Sequence, residues 1–148
     1  MGQMSKHYPA RAEFVGSARS AVSEFAVAMG ADPAKVHSIE LAVGEACSNV
    51  VVHAYRDSAS PGEMMVSASM VDGDLRVEVV DDGAGMIPRL DSPGIGMGVP
   101  LMLRLSDSLE TRTSARGGTE ICLRFSLPHG EGAPRREPQP AFEAAPSL

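Results

Sequence analysis

One segment of this chain constrains its fold and its chemistry more than any other. Residues 45–54 read Glu-Ala-Cys-Ser-Asn-Val-Val-Val-His-Ala. In and before this segment, apolar residues recur at spacings of three and four, which predicts a helix that buries one face against a sheet. The residues of that face are Ile39, Val43, Ala46 or Cys47, Val50 and Ala54. Glu45 and Asn49 lie off it, one helical turn apart.

A carboxylate and a carboxamide at this spacing have two interpretations. A glutamate here can accept a proton from a hydroxyl or a water, and an asparagine one turn away offers a neutral oxygen to a hard cation such as Mg²⁺. Alternatively, both are ordinary polar residues on a solvated face. Leu41 and Val52 lie on the same side as Glu45, which predicts that this face is covered rather than freely solvated.

The first glycine-rich segment, Asp81-Asp82-Gly83-Ala84-Gly85, follows a valine-rich run. An aspartate at a strand end can accept a hydrogen bond from an exocyclic amine, and the absent glycine side chains let a flat ring approach the backbone. A hairpin-type turn is the alternative. The segment alone does not decide between them.

The second glycine-rich segment, Gly94-Ile95-Gly96-Met97-Gly98, precedes a predicted helix. Backbone N–H groups at a helix N-terminus form an anion site that suits phosphates. The segment is neither a Walker A loop nor a dinucleotide-binding fingerprint, and a plain glycine-rich loop is the alternative. Taken in order with the helix, the two segments predict a nucleotide site.

The remaining pattern predicts the fold. An extended piece covers about 7–10, and a helix starting near Val15 is stopped by Gly30. Asp32 caps the second helix with Pro33 at its first position, and that helix runs to about Tyr55. Predicted strands are 64–70 and 75–80, joined by the turn at 72–73, and 109–114 and 119–126, with a short helix at 99–104. The order predicts a two-layer α/β sandwich whose mainly antiparallel sheet is covered by helices on one face.

Composition sets the class of protein. The 148 residues carry a net charge of −6, which disfavours nucleic acid as a partner. No apolar run is long enough for a membrane span and no signal peptide is evident, so we expect a cytoplasmic protein with two buried, reduced cysteines. Residues 1–127 are predicted to form one domain, and the proline-rich residues 128–148 a disordered tail.

These motifs resemble those of the GHKL ATPases. Glu45-x-x-x-Asn49-x-x-x-His53-Ala54-Tyr55 is similar to their N box, Asp81-x-Gly83-x-Gly85 to their G1 box, and Gly96-Met97-Gly98 to their G2 box. Gly118-Thr119 is similar to their G3-type motif. More narrowly, the chain resembles the bacterial anti-sigma-factor serine kinases of the sporulation and stress-response type. The resemblance covers about residues 7–127.

The resemblance implies the Bergerat (histidine-kinase-like ATPase) fold, with ATP and Mg²⁺ as ligands. By position, Asn49 would hold the metal, Asp81 would contact the adenine amine, and Glu45 would orient or deprotonate the attacking serine. The remaining cofactor-binding positions are Gly83, Gly85 and Thr119 at the adenine end, and Gly94, Gly96, Met97 and Gly98 by the phosphates. Such a sparse set suffices, because phosphoryl transfer depends mostly on positioning and charge neutralisation. His53 is expected to be a packed or helix-end residue.

The family implies a partner-switching function. The kinase would phosphorylate a serine of a STAS-domain anti-anti-sigma partner, sequester an RNA polymerase sigma factor, and form a homodimer. The alternative is an ATP-binding regulatory switch with little kinase activity; the presence of both Glu45 and Asn49 favours the kinase. A histidine-kinase catalytic domain is disfavoured, because no pair of phosphoacceptor helices precedes the motifs. Lys35, Arg56, Arg89 and Arg104 are candidate phosphate partners that spacing does not discriminate.

Overall fold

The computed structural model describes residues 2–55, 62–83, 98–114 and 117–128. These residues form a five-stranded sheet with helices packed on one face, which confirms the predicted two-layer α/β sandwich. The strands are β1 (Gln3–Pro9), β2 (Glu63–Val71), β3 (Asp74–Asp81), β4 (Ser108–Thr113) and β5 (Thr119–Ser126). The helices are α1 (Val15–Ala28), α2 (Pro33–Asn49) and α3 (Gly98–Leu105).

The sheet has the strand order β1-β2-β3-β5-β4, and every neighbouring pair is antiparallel. The hairpin between β2 and β3 turns at Asp72 and Gly73, whose φ values of 52° and 83° are both left-handed. This is the backbone that an Asp-Gly pair favours in a two-residue hairpin. Residues on one face of β3 alternate with residues on the other, and the buried set is Leu75, Val77, Val79 and Asp81.

The helix boundaries follow local sequence signals. Gly30, with φ +100°, takes the left-handed position just after α1 ends. The Asp32 carboxylate accepts a hydrogen bond from the backbone N–H of Lys35 at 2.8 Å, and Pro33 occupies the first turn. Beyond Asn49 the helix continues to Ala54 with wider, π-helical hydrogen bonding over Val50–Ala54. The predicted end near Tyr55 is therefore confirmed.

The inner face of α2 is buried as predicted, since no residue of the apolar face is more than 1% exposed. The prediction for its outer face is wrong. Leu41 is 37% exposed and Val52 is 59% exposed, so the side that carries Glu45 is not covered by another described element. Periodicity predicts which face packs on the sheet; it does not predict whether a second layer lies outside the helix.

The first strand is longer than its sequence pattern predicts. β1 begins at Gln3 and pairs with β2 in an unbroken register from Gln3–Ser69 to Pro9–Glu63. Most of its side chains are exposed, so its pairing depends on backbone hydrogen bonds and leaves no apolar alternation to detect. The predicted tail lies outside the described residues except for Pro128. No described helix is long and apolar enough to cross a membrane.

Candidate functional site

A buried carboxylate marks the end of β3. Asp81 is 3% exposed and lies on the face of the sheet that the helices cover. Its Oδ1 accepts hydrogen bonds from the backbone N–H groups of Gly83 at 3.0 Å and Thr119 at 3.3 Å. Within the described part of the chain, no hydrogen bond reaches its Oδ2. The carboxylate thus joins the end of β3 to the start of β5 and keeps one acceptor oxygen for a ligand.

The environment of Asp81 raises its pKa above the ordinary value of 3.8. Burial is the main cause, because it penalises the charged form. The two backbone N–H groups act in the opposite direction, and the negative charge of Asp82 adds to the increase. An additional hydrogen-bond donor at Oδ2 would stabilise the charged form, so the site favours a ligand that carries an N–H group.

Two glycines let the backbone pack closely around this acid. A Cβ atom on Gly118 would overlap the carbonyl oxygen of Asp81, and one on Gly83 would overlap the carbonyl oxygen of Ala54. The sequence prediction assigned the room at Gly83 to a bound base. In the structure, the missing side chain also allows the strand end to contact the end of the α2 helix.

The α2 helix brings the two predicted polar residues toward the same region. Asn49 is 8% exposed, and its Nδ2 is buried with no hydrogen-bond partner among the described residues. Glu45 is partly exposed and lies one turn earlier, about 6 Å along the helix axis. Ala54, at the end of the same helix, contacts Gly83 beside Asp81. One continuous helix therefore links the acid site to Asn49 and Glu45.

The direction of α3 places its N-terminus near this part of α2. The two helices pack together, and an ion pair of 3.9 Å joins Lys35 at the start of α2 to Asp107 just beyond the end of α3. They therefore run in opposite directions, and the start of α3 at Gly98 points toward the Asn49 end. The backbone N–H groups at a helix N-terminus suit phosphates, so this direction is compatible with phosphates between α3 and the Asn49 end of α2.

The same geometry narrows the choice among the basic residues that were predicted to contact the phosphates. Lys35 lies fourteen residues before Asn49, about 21 Å along the axis, and it pairs with Asp107, so it serves the opposite end of the helix. Arg104 is exposed in the last turn of α3. The other predicted site positions, Gly85, Gly94, Gly96, Met97, Arg56 and Arg89, lie outside the described residues.

A metal ion at this site would need the phosphates of a bound nucleotide as additional ligands. Among the described residues, no group of three His, Cys, Asp or Glu side chains is placed to hold a metal ion. Mg²⁺ commonly binds through one or two protein oxygens together with substrate phosphates and waters. Asn49 with a bound nucleotide therefore fits Mg²⁺ better than it fits a metal held by protein side chains alone.

Sequence reasoning gave no role to Tyr55, although it ends the quoted motif. Its hydroxyl contacts the carbonyl oxygen of Glu63 at 2.7 Å and the carboxylate of Asp82, and accepts the Asp82 N–H at 3.2 Å. Burial, together with the hydrogen bond to the Asp82 carboxylate, raises the pKa of Tyr55 to about 12. Its partners are distant along the chain, so no local sequence pattern identifies this role. His53 is partly buried in the last turn of the helix, as expected.

The sheet, the helix layer and the strand-end acid together define an α/β domain of the ATP-binding kind. The chain belongs to the family of the histidine kinase-like ATPase domain, whose profile matches residues 8–125. Membership of an ATPase family implies that the domain binds ATP.

Named relatives of this family are serine kinases and anti-sigma factors. An anti-sigma F factor of Caldanaerobacter subterraneus is 29% identical over 115 residues, which cover 70% of this chain and 79% of that protein. The serine-protein kinase RsbW of Bacillus licheniformis is 36% identical over 75 residues, 51% of this chain and 47% of that protein. The solved RsbU and RsbW domains of a Mycobacterium tuberculosis protein superpose with a TM-score of 0.67 at 23% identity, covering 86% of this chain and 33% of that one, which shows the shared fold.

The contact between Gly83 and Ala54 can be tested by adding one methyl group. Gly83→Ala forces the strand end away from the helix end, so we expect a loss of about 1–3 kcal/mol in the free energy of unfolding, measured by urea denaturation. The matched control is Gly16→Ala in α1, where an added Cβ meets nothing within 4 Å. The control should be neutral or stabilising by about 0.5–1 kcal/mol. Equal stability of the two variants would contradict the close approach.

Proposed function

We propose that this chain is an ATP-dependent protein serine kinase that acts as an anti-sigma factor. The observation that carries the proposal is the Asp81 carboxylate, which is buried, has one oxygen without a partner among the described residues, and is joined through Gly83 to the helix of Asn49 and Glu45. The names of the relatives, anti-sigma F factor and serine-protein kinase RsbW, support the same reading. Such a kinase needs a carboxylate that accepts a hydrogen bond from the adenine amine, an amide that binds a metal, and a base one helical turn from that amide. Asp81, Asn49 and Glu45 would supply these three groups.

Asp81 accepts the adenine amine through Oδ2 in this proposal. The amine is a hydrogen-bond donor, and it would stabilise the charged carboxylate that burial disfavours. Thr119 and Gly83 hold the other oxygen and so fix the carboxylate plane. Selectivity for adenine follows, because a base with an acceptor at that position would face an unpaired carboxylate oxygen.

Asn49 is the protein ligand for Mg²⁺. Its carboxamide is nearly enclosed, and its Nδ2 has no described partner. A bound nucleotide with Mg²⁺ would give each atom of the carboxamide a partner. The amide oxygen can bind the metal, and Nδ2 can donate a hydrogen bond to a phosphate oxygen. Mg²⁺ would neutralise charge on the phosphates. The glycines at 94, 96 and 98, together with Met97, would contribute backbone N–H groups on the phosphate side.

Glu45 acts on the attacking serine. Its carboxylate is partly exposed, which allows a protein substrate to reach it. In the transfer, the serine Oγ forms a bond to the γ-phosphorus, the bond from that phosphorus to the β,γ-bridging oxygen breaks, and the serine proton passes to the Glu45 carboxylate. The products are phosphoserine and ADP. Positioning supplies most of the rate enhancement in such a reaction.

The partner-switching part of the proposal comes from the relatives. The serine would belong to a STAS-domain anti-anti-sigma protein, and the chain would bind an RNA polymerase sigma factor until that protein competes for it. A homodimer is part of the same proposal. The direct experiment is to co-purify partners from the source cells, add radiolabelled ATP, and identify the labelled residue. A label on a serine of a small partner supports the kinase, whereas ATP binding without any label favours a nucleotide-dependent switch.

A substitution of Glu45 distinguishes the proposed kinase from a nucleotide-dependent switch without kinase activity. Glu45→Gln keeps the shape of the side chain but removes its basicity, so we expect ATP affinity within twofold of the parent and transfer slower by about a hundredfold or more. The measurements are equilibrium binding of ATP and single-turnover transfer of label. The control is Glu24→Gln, an exposed glutamate of α1, which should behave like the parent. Transfer at the parental rate by Glu45→Gln would remove Glu45 from the mechanism.

Asn49 should set the Mg²⁺ dependence of binding. For Asn49→Ala we expect ATP affinity in the presence of Mg²⁺ to fall about ten- to a hundredfold, with little change when Mg²⁺ is chelated. Calorimetric titrations with and without chelator measure the difference. Ser38→Ala is the control, because among the described residues that hydroxyl bonds only to the Ala34 carbonyl on the same helix. An undiminished Mg²⁺ effect in Asn49→Ala would place the metal elsewhere.

Substitution of Asp81 by asparagine should weaken ATP binding and at the same time stabilise the ligand-free protein. In Asp81→Asn, Oδ1 can still accept from Gly83 and Thr119, but Oδ2 is replaced by a donor that faces the adenine amine. ATP affinity should fall by at least roughly tenfold, equal to about 1.4 kcal/mol. The ligand-free variant should melt at a higher temperature than the parent at pH 7, because the buried charge is gone.

The pH dependence of the higher melting temperature of Asp81→Asn tests whether the charge of Asp81 causes it. The pKa of Asp81 is raised in the folded state, so the carboxyl is protonated in both states below its ordinary value of 3.8 and carries no penalty there. As pH rises through the folded pKa, the parent alone loses stability. Thermal melts of the two proteins should therefore converge toward acidic pH and separate toward neutral pH. A constant difference would contradict the assignment to the Asp81 charge.

A further inference from the structure

Tyr55 makes several polar contacts that the proposed mechanism does not use. It follows the last residue of the π-helical segment, and its ring lies against Gly62, where a Cβ would overlap it. Its hydroxyl contacts the Glu63 carbonyl at the start of β2 and both the backbone and the carboxylate of Asp82 after β3. One side chain thus joins the end of a helix to the adjacent ends of two strands.

We propose that Tyr55 is a positioning residue that holds the adenine end of the site in register with the helix of Asn49. The proposal rests on the nucleotide site of the proposed function. Tyr55 acts through Asp82, not through a contact with the nucleotide.

The geometry leads from Asp82 directly to the carboxylate of Asp81. Asp82 is held to Tyr55 at its N–H and at its side chain. The next residue, Gly83, donates its own N–H to Oδ1 of Asp81 at 3.0 Å. Because each residue has only two soft backbone dihedrals, an immobilised Asp82 restricts where the N–H of Gly83 points. The orientation of the Asp81 carboxylate therefore depends on the Tyr55 hydroxyl.

The same residue fixes the other end of the site. Tyr55 follows Ala54, whose carbonyl oxygen is in close contact with Gly83, and it lies six residues after Asn49, directly beyond the end of the same helix. When the hydroxyl is present, the strand end and the helix end cannot move independently. A nucleotide that contacts both Asp81 and Asn49 then finds the two groups already at the correct separation, which lowers the ordering cost of binding.

The sequence supplies a matched control. The chain has two tyrosines and no tryptophan. Tyr8 on β1 is also partly buried and packs against the core, but no hydrogen bond of its hydroxyl is found in the described part of the chain. Tyr55→Phe and Tyr8→Phe therefore remove the same atom, which has three polar contacts at Tyr55 and no hydrogen bond among the described residues at Tyr8.

The experiment compares ATP binding and transfer in these two variants. For Tyr55→Phe we expect the Kd and the KM for ATP to rise about five- to tenfold, with kcat at saturating ATP within twofold of the parent, because Glu45 is not displaced. Tyr8→Phe should match the parent in all three quantities. Amide exchange at Asp82 and Gly83 should be faster in Tyr55→Phe alone. Unchanged Kd in Tyr55→Phe, or equal losses in both variants, would overturn the inference.

A double substitution separates positioning from general destabilisation. Asp82→Ala alone should also raise the Kd, but adding it to Tyr55→Phe should produce little further change, because both remove the same connection. Fully additive losses would indicate two independent structural effects and would contradict the proposal. If the parent itself fails to bind ATP, the proposed function fails. If the parent binds and Tyr55→Phe binds equally well, only the role of Tyr55 fails.

Discussion

The hydrogen bonds of the Asp81 carboxylate hold together the parts of the molecule that form the candidate site. Burying an ionisable carboxylate is unfavourable unless donors surround it. Here the backbone N–H groups of Gly83 and Thr119 supply two donors to one oxygen. They come from segments that are far apart in sequence, so the same two bonds also fix the end of β3 against the start of β5. The same two hydrogen bonds therefore both stabilise the strand ends and orient the Asp81 carboxylate.

That constraint is possible only because side chains are missing where backbones meet. Gly118 lies over the carbonyl oxygen of Asp81, and Gly83 lies against that of Ala54. The two contacts bring a strand end, the start of the last strand and the end of a helix within van der Waals distance. The helix itself is held by its buried inner face and by the Asp32 cap. The position of Asn49 and Glu45 thus follows from ordinary core packing carried forward to the site.

Signals that act over a few residues were sufficient to predict most of the fold. The Asp32 cap, the stop at Gly30 and the Asp72-Gly73 hairpin each depend on neighbours in the chain, and all were correct. Contacts between distant residues were not predictable in this way. The link from Tyr55 to Asp82 spans 27 positions, and nothing in the local pattern identifies it. Edge strand β1 was underestimated because backbone pairing leaves no hydrophobic alternation.

The candidate site concentrates features that folding alone does not favour. Asp81 has a raised pKa and an oxygen without a described partner, and the buried Nδ2 of Asn49 likewise has no partner among the described residues. Most buried polar groups in folded proteins are paired, and Asn49 Nδ2 is one of two buried side-chain atoms without a partner in the described part of the chain, the other being Nε of Arg124 on β5. A ligand that donates to the acid and accepts from the amide satisfies Asp81 and Asn49 at once. A nucleotide that contacts both groups would gain these interactions on binding, and it could do so only while the strand end and the helix end stay in register.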